Sequence, residues 1–378
     1  MTFDYANRRA GLDEAMAAAG IELIFVPPGS DLEYLVGMDR DLPTYGATGY
    51  THGWVTGGFF RPGEEPIFCL PRLVSMVHLK KELPGQVVVF NETDSEETFA
   101  AVAAQLKSVH TAAVASRAWG QSLLRLQRWL PGTRFVEGGP ILNRLRQCKT
   151  PAELAAMERA GQIVIDALAE ATRLIRPGVT LREIATEIEH QMVLRGSRAP
   201  SFETHVGTYG LPDRRDNLDP KTADLPLRAG ESVKFDYGAV VNGYCSDFGR
   251  TIFCGDPSQA FLDTYNDVLL PAQRAAIDAA VPGARAGDVD LACRGVIEDV
   301  GLGEYFIHRT GHCIGLDVHE LPYISEEDDT ILEEGMTFTI EPSINAPGRF
   351  GMRIEDVVVC APGSGRRLVP AADDLVVV

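Results

Sequence analysis

Paired cysteines are missing from this sequence: the seven residues at 69, 148, 245, 254, 293, 313 and 360 are odd in number, scattered, and never spaced C-x-x-C. That excludes a disulfide framework and a thiolate zinc site, and the thiols are read as reduced and mostly buried. Basic stretches are missing too. With 53 Asp plus Glu against 35 Lys plus Arg the net charge is -18, which excludes a nucleic-acid footprint and a membrane-seeking polybasic face. No apolar run approaches the roughly 18 residues of a membrane helix. There is no repeat of solenoid period and no low-complexity tract. Asp4, Arg8, Arg9, Asp13 and Glu14 stand where an export signal would need uncharged apolar residues, so the expected compartment is the cytoplasm. Against these absences, 45% hydrophobic and 23% charged residues over 378 positions describe an ordinary globular chain long enough for two domains. Small molecules or proteins are the expected partners, with no nucleic acid and no membrane.

The first 145 or so residues alternate helical and strand patterns. Residues 8–19 read as an amphipathic helix and Ile21 to Val26 as a strand stopped by Pro27, Pro28 and Gly29. Gln86 to Phe90 reads as another strand, and Ser95 introduces a helix to Leu106. This is an α/β unit. The pattern then changes: Thr150, Pro151 and Glu153 form a helix start, and the helix runs to about Leu174 before Arg176, Pro177 and Gly178. A second helix begins at Thr180, with Glu183 completing a capping box, and ends near Arg195 and Gly196. The expected domains are therefore 1–147 and 148–378. Beyond residue 230 the chain is strand-rich, with helices over 257–280 and 286–300. The acidic run Glu326 to Asp329 reads as a solvated loop.

Chemistry concentrates in the second domain. Asn242-Gly243 is a strong hairpin signal, and a two-residue loop there sets Asp236 opposite Gly249 and Asp247 opposite Gly238. The two aspartates become diagonal neighbours on one face, in a pocket that the glycines are expected to leave open. Phe235, Tyr237, Ala239, Val241, Tyr244 and Phe248 take the other face as core. Three of eight histidines, His308, His312 and His319, fall within twelve residues. In MTFTIEPSI, Glu341 points away from the face of Met336, Phe338 and Ile340. In GMRIEDVVV, Arg353 and Glu355 share a face, with residues 345–351 turning the chain between the two segments. If the two hairpins face each other, four carboxylates converge, and packed anions raise one another's pKa unless cations lie among them. Two divalent ions would cancel the charge.

The order Asp236, Asp247, His312, Glu341, Glu355, in the motifs FDYG, SDFGRT, HRTGHCIGLDVHE, IEPSI and RIED, resembles the dinuclear metal site of the pita-bread family. That family includes methionine aminopeptidase, aminopeptidase P, prolidase and creatinase. The resemblance spans the chain and implies an α+β fold: a carboxy-terminal pita-bread domain with a smaller α/β creatinase-type amino-terminal domain. It implies that Asp236 chelates one metal, that Asp247 and Glu355 bridge both, and that His312 and Glu341 hold the other. Mostly oxygen donors with one imidazole favour Mn²⁺ first, then Fe²⁺ or Co²⁺, with zinc possible. The implied reaction is attack on an amide carbonyl by a hydroxide bridging the two metals. Glu341 would shuttle the proton to the leaving amine, His319 would hydrogen-bond the oxyanion or the following carbonyl, Arg353 would orient the carboxylates, and His308 would line the pocket beyond the scissile bond. A homodimer is implied, together with a short peptide or small amide as substrate.

Three departures bear on substrate. Where proline-specific members carry a histidine before the first metal aspartate, Asp219 stands at the counted position, and His205 is the nearest substitute. Ser343 and Asn345 replace a usual glycine and aromatic. Cys313 follows His312 where glycine is usual, which suggests sensitivity to oxidation. The expected function is a metal-dependent Xaa-Pro peptidase of prolidase or aminopeptidase P type. The alternatives are the same metals acting on a small non-peptide substrate, as in relatives that open ectoine or cleave dimethylsulfoniopropionate, and a non-catalytic binding module.

Overall fold

A computed structural model describes residues 2–40, 53–79, 81–91, 93–106, 108–211 and 224–378. Asp219 lies outside the described residues. The chain divides into two compact units, Thr2–Arg146 and Gln147–Val378.

The first unit is built on a six-stranded mixed sheet in the order Gln86–Phe90, Ile67–Pro71, Gly57–Phe60, Leu23–Val26, Thr111–Val114 and Arg134–Glu137. One face buries Leu23, Phe25, Phe59 and Phe99, with Trp54 set edge-on to Phe99 at 5.4 Å. The first helix, Tyr5–Ala18, starts earlier than its apolar pattern suggests because the Asp4 carboxylate accepts from the Asn7 amide at 2.9 Å. The helix expected from Ser95 spans Ser95–Gln105 with Asp94 at the cap position. That carboxylate is spent on the backbone and side chain of Asn91, so the helix has no side-chain cap.

In the second unit, Pro151–Ala171 and Leu181–Leu194 are helices opened by complete capping boxes, Thr150 with Glu153 and Thr180 with Glu183. Their apolar faces bury Ile163, Ile184 and Ile188 against Phe235, Tyr237, Ala239 and Phe248, the sheet face read as core. That sheet has the order Val376–Val377, Phe248–Cys254, Glu231–Tyr237 and His205–Tyr209. Asn242 and Gly243 both have positive φ, 49° and 84°, as the tight hairpin turn requires. The register follows: Asp236 pairs with Gly249, Val241 with Tyr244. On its other edge Asp236 pairs with His205.

A second sheet has the order Glu320–Ile324, Gly311–Cys313, Thr337–Ile340, Asp356–Val359 and Arg366–Arg367. Helices Leu270–Ala279 and Ala286–Glu298 supply Ala272, Ala276, Val289 and Ile297 to the core shared with Phe338, Ile340 and Met352. The helix expected over 257–280 is interrupted: Gln259–Thr264 and Leu270–Ala279 are joined by one wide π-helical turn, Tyr265–Leu269. Pro271 has no amide hydrogen to close the regular ladder, and the turn before it widens. Strand Thr337–Ile340 pairs with Asp356–Val359, and Ser343–Ala346 pairs with Phe350–Arg353. Both pairings keep one register, so Glu341 falls opposite Glu355 at the break between them. Among the described residues no helix is long and apolar enough to cross a membrane.

Candidate metal centre

Each hairpin loses its regular ladder where Asp247, Glu341 and Glu355 lie, while Asp236 stays paired with Gly249. Ladder pairing lapses between Tyr237 and Val240 on one strand and between Cys245 and Phe248 on the other, and Asp247 sits in that gap. The glycines do not leave an open pocket, as expected from the sequence; they admit neighbours. A Cβ at Gly249 would lie 2.6 Å from Glu355 Oε2 and 2.7 Å from Arg353 Cδ. A Cβ at Gly238 would collide with Ser246 O and Ser201 Oγ. Gly249 and Glu355 also exchange backbone hydrogen bonds, at 3.4 and 2.9 Å. The second hairpin is thereby docked on the first, and its glutamates arrive beside the aspartates.

His312 enters from strand Gly311–Cys313. Its Nδ1 lies 3.2 Å from Cys313 O, which holds the proton on that nitrogen and turns the Nε2 lone pair inward. Nε2 is 3.5 Å from both Asp247 Oδ2 and Glu341 Oε1. Thr339 Oγ1 accepts from the His312 amide at 3.1 Å and donates to Glu341 Oε1 at 3.2 Å, fixing the two side chains to each other. Asp247, His312 and Glu355 each offer an atom such that the three lie within 4.8 Å of one another. Asp236 is held by Arg353 Nη1. Arg353 also reaches Glu341 at 3.4 Å and Glu355 at 3.6 Å, and donates from Nε to Ser343 Oγ at 2.8 Å. It is therefore in direct ion-pair contact with the carboxylates it was expected to orient.

The electrostatics fit cations. Asp247 Oδ1 and Glu355 Oε2 are buried without hydrogen-bond partners, an arrangement that is expensive for an anion unless a positive ligand faces it. Burial, partly opposed by His312, raises Asp247 to about 7. Burial and then repulsion from Asp247 and Glu341 push Glu355 well above the usual carboxylate range. Burial would lower His312, but Asp247 and Glu341 outweigh it and raise its pKa. Four carboxylate side chains and one imidazole lining one cavity, three of them within 4.8 Å of one another, are a donor set for divalent ions rather than a structural zinc site.

A cavity of about 540 Å³ opens on these residues and is also lined by Phe202, Glu203, His205, His308, Arg309 and His319. That size suits a small ligand. His319 is exposed and stacks edge-on to His312 with ring centroids 4.1 Å apart. Burial and then His312 lower it to about 4. His308 Nδ1 lies 2.7 Å from Arg309 O and its Nε2 faces Arg353 Nη2 at 3.5 Å. Burial and then Arg353 lower it to about 4. Cys313 departs from expectation: it is fully buried in the core, and burial pushes its thiol up to about 12. Strand alternation turns it away from His312, so it is neither exposed nor a thiolate.

Sequence reasoning missed the supports. Asp290 accepts from the Thr310 amide at 2.8 Å and from Arg294 at 2.8 and 3.1 Å. Arg294 in turn donates to Phe306 O and His308 O at 3.1 and 3.0 Å. Helix Ala286–Glu298 thus grips the segment that carries His308. Asn345, noted as a departure and expected in a turn, lies in strand Ser343–Ala346 and accepts from buried Lys234 Nζ at 2.9 Å. Arg309 stood unread inside the histidine motif.

Comparison with known proteins gives the family of the chain. Residues 155–362 match the model of metallopeptidase family M24, and residues 8–148 match the creatinase/prolidase N-terminal domain. The chain is 36% identical over 326 residues to the Xaa-Pro dipeptidase of Lactobacillus helveticus, covering 84% of this chain and 87% of that protein. The crystal structure of a prolidase from Thermococcus sibiricus aligns with a TM-score of 0.86 at 30% identity, over 100% of both chains. Dipeptidase PepE from Mycobacterium ulcerans aligns with a TM-score of 0.82 at 34% identity, again over 100% of both.

Proposed function

The chain belongs to metallopeptidase family M24, and on that premise we propose that it is a divalent-metal-dependent hydrolase cleaving the amide bond of Xaa-Pro peptides. We assign 1–147 to the amino-terminal domain and 148–378 to the catalytic domain. The observation that carries the reading is the cluster of Asp247, His312 and Glu355 within 4.8 Å, with two orphaned carboxylate oxygens facing it. Asp236, Asp247, His312, Glu341 and Glu355 would hold the ions, Mn²⁺ being the first candidate. A homodimer follows the family resemblance, and the cytoplasm remains the expected location.

Bound there, divalent ions would acidify a water and polarise the scissile carbonyl. Glu341, fixed by Thr339, takes the proton released by the attacking water and returns it to the leaving nitrogen. His319 is neutral at pH 7 by its lowered pKa and donates a hydrogen bond to the developing oxyanion. Arg353 holds the carboxylates in place while charge redistributes.

The test is hydrolysis of Xaa-Pro dipeptides and Xaa-Pro-Yaa tripeptides by protein stripped of metal and reloaded with Mn²⁺, beside an Asp247→Asn variant. Metal-dependent release of the amino-terminal residue, reduced at least about 100-fold in the variant, is expected from the loss of a carboxylate that would hold the metal. Equal turnover by Asp247→Asn would sink the reading. Tight metal binding with no peptide cleavage would transfer the site to a small non-peptide amide or sulfonium substrate.

A further inference from the structure

The reaction leaves one deeply buried ion pair without a role. Lys149 Nζ donates to Glu320 Oε2 at 3.0 Å, with the two side chains only 1% and 3% exposed. An apolar pair of similar volume often holds a core equally well; what charges add is direction, because each must meet its partners in a fixed geometry. Lys149 is itself anchored. Just ahead of the Thr150 cap of helix Pro151–Ala171, its amide donates to Gly335 O at 2.9 Å and its ammonium also to Gln147 O at 3.3 Å. Glu320 directly follows His319, and strand alternation separates the two side chains. Glu320 is buried against Lys149, whereas His319 is exposed and lines the cavity. The same carboxylate accepts from the Asp317 amide at 3.2 Å through Oε1. It thereby closes the turn 317–320, and the two residues inside that closure, Val318 and His319, are both cavity-lining. The foot of the turn is tied as well, since Gly315 donates to Asp317 O at 3.0 Å and accepts from the Cys245 amide at 2.8 Å. The His319 ring, by contrast, packs edge-on to His312 and has no hydrogen-bond partner of its own among the described residues. Its aim is set by the backbone that carries it.

We propose that Lys149 and Glu320 are a positioning pair for His319: their bond fixes the backbone of turn 317–320 and so directs the imidazole into the cavity. Neither residue lines the cavity, and both act through His319 without touching substrate. The inference rests on the Xaa-Pro reading, in which His319 donates to the developing oxyanion, and adds to it the residues that hold that donor in place.

The experiment has a turnover arm and a spectroscopic arm, both on the full chain with metal content measured. The main variant is Lys149→Met with Glu320→Leu, which removes both charges at similar volume and leaves no buried ion unpaired. On Mn²⁺-loaded protein its kcat for Ala-Pro is expected to fall about 10- to 100-fold, the range of one charge-assisted hydrogen bond, while KM stays within about twofold. In a His319→Ala background the same two substitutions should lower kcat by no more than about twofold, because the residue they act through is already gone. An equal drop in that background overturns the proposal, and so does a variant with unchanged kcat. In the spectroscopic arm, histidine labelled with carbon-13 at Cε1 is observed by NMR with diamagnetic Zn²⁺ in place of Mn²⁺, and the His319 signal is assigned by its loss in His319→Ala. That signal should move in the variant, since the His312 ring faces it at 4.1 Å; a stationary signal overturns the proposal. Glu320→Gln, which offers one acceptor oxygen where the carboxylate has two, should show both effects in smaller degree and decides the matter if the main variant does not fold. Absence of Ala-Pro turnover by wild type would remove the Xaa-Pro reading, and the His319 signal would then decide the positioning alone.

Discussion

Asp247 and Glu355 carry opposite demands at the residue scale, since burial favours their protonated forms and metal binding needs their charge. For Asp247 the sign is definite. Its folded pKa of about 7 lies above the roughly 3.9 of an unfolded aspartate, so the folded chain binds more protons between those values. The stabilisation is complete below about pH 4 and is lost as pH rises through about 7. The metal-free protein should therefore lose thermal stability relative to metal-free Asp247→Asn as pH is raised from 5 to 8. Thermal midpoints of both proteins in chelator check this, and a gap that stays constant would mean the carboxylate is charged throughout. At this scale the meeting of the five expected ligands in one cavity was legible because acids at strand spacing beside a histidine cluster are unusual in an ordinary globule. Lys149 and Cys313 were not: whether a side chain has a partner, or which face of a short strand it takes, depends on chain segments far away in sequence.

Elements place these residues by interruption as much as by regularity. Both hairpins keep one register across a break in the ladder; Asp247, Glu341 and Glu355 occupy the breaks, while Asp236 stays in the ladder. The Asn242-Gly243 turn made the first register readable in advance, and the capping boxes at Thr150 and Thr180 made two helix starts readable, because all of these are interactions within a few residues. The grip of helix Ala286–Glu298 on the segment 306–310 was not readable. It joins residues up to twenty positions apart, through Asp290 to Thr310, and nothing local announces it. That grip predicts an effect on both stability and binding. Arg294→Met removes two charge-assisted bonds from fully buried Asp290 and frees two carbonyls. A loss of about 2 to 4 kcal/mol in urea unfolding is expected. In the folded enzyme KM should rise more than kcat falls, because segment 306–310 carries the pocket residues His308 and Arg309 and none of the five expected metal ligands. An unchanged KM would confine the grip to a purely structural role.

On the scale of the whole molecule, composition and the change of pattern near residue 148 already indicated two units, and the two have separate cores. All five expected metal ligands belong to Gln147–Val378. A ligand that binds only the folded form stabilises by RT ln(1 + [L]/Kd), about 2.7 kcal/mol for one site at a hundredfold excess over Kd. For a unit of this size each kcal/mol is worth roughly 2 to 4 °C in Tm. Metal binding should therefore act unequally along the chain. Scanning calorimetry of the full chain with Mn²⁺ and then with chelator is expected to lower the transition of Gln147–Val378 by at least about 5 °C, while the transition of Thr2–Arg146 stays within about 1 °C. Limited proteolysis during heating identifies which unit each transition belongs to. The destabilising charge of Asp247 and Glu355 is confined to the second unit, and so is the cation that would relieve it. A single transition that shifts as a whole would instead mean that the two cores melt together and that metal binding supports the entire chain.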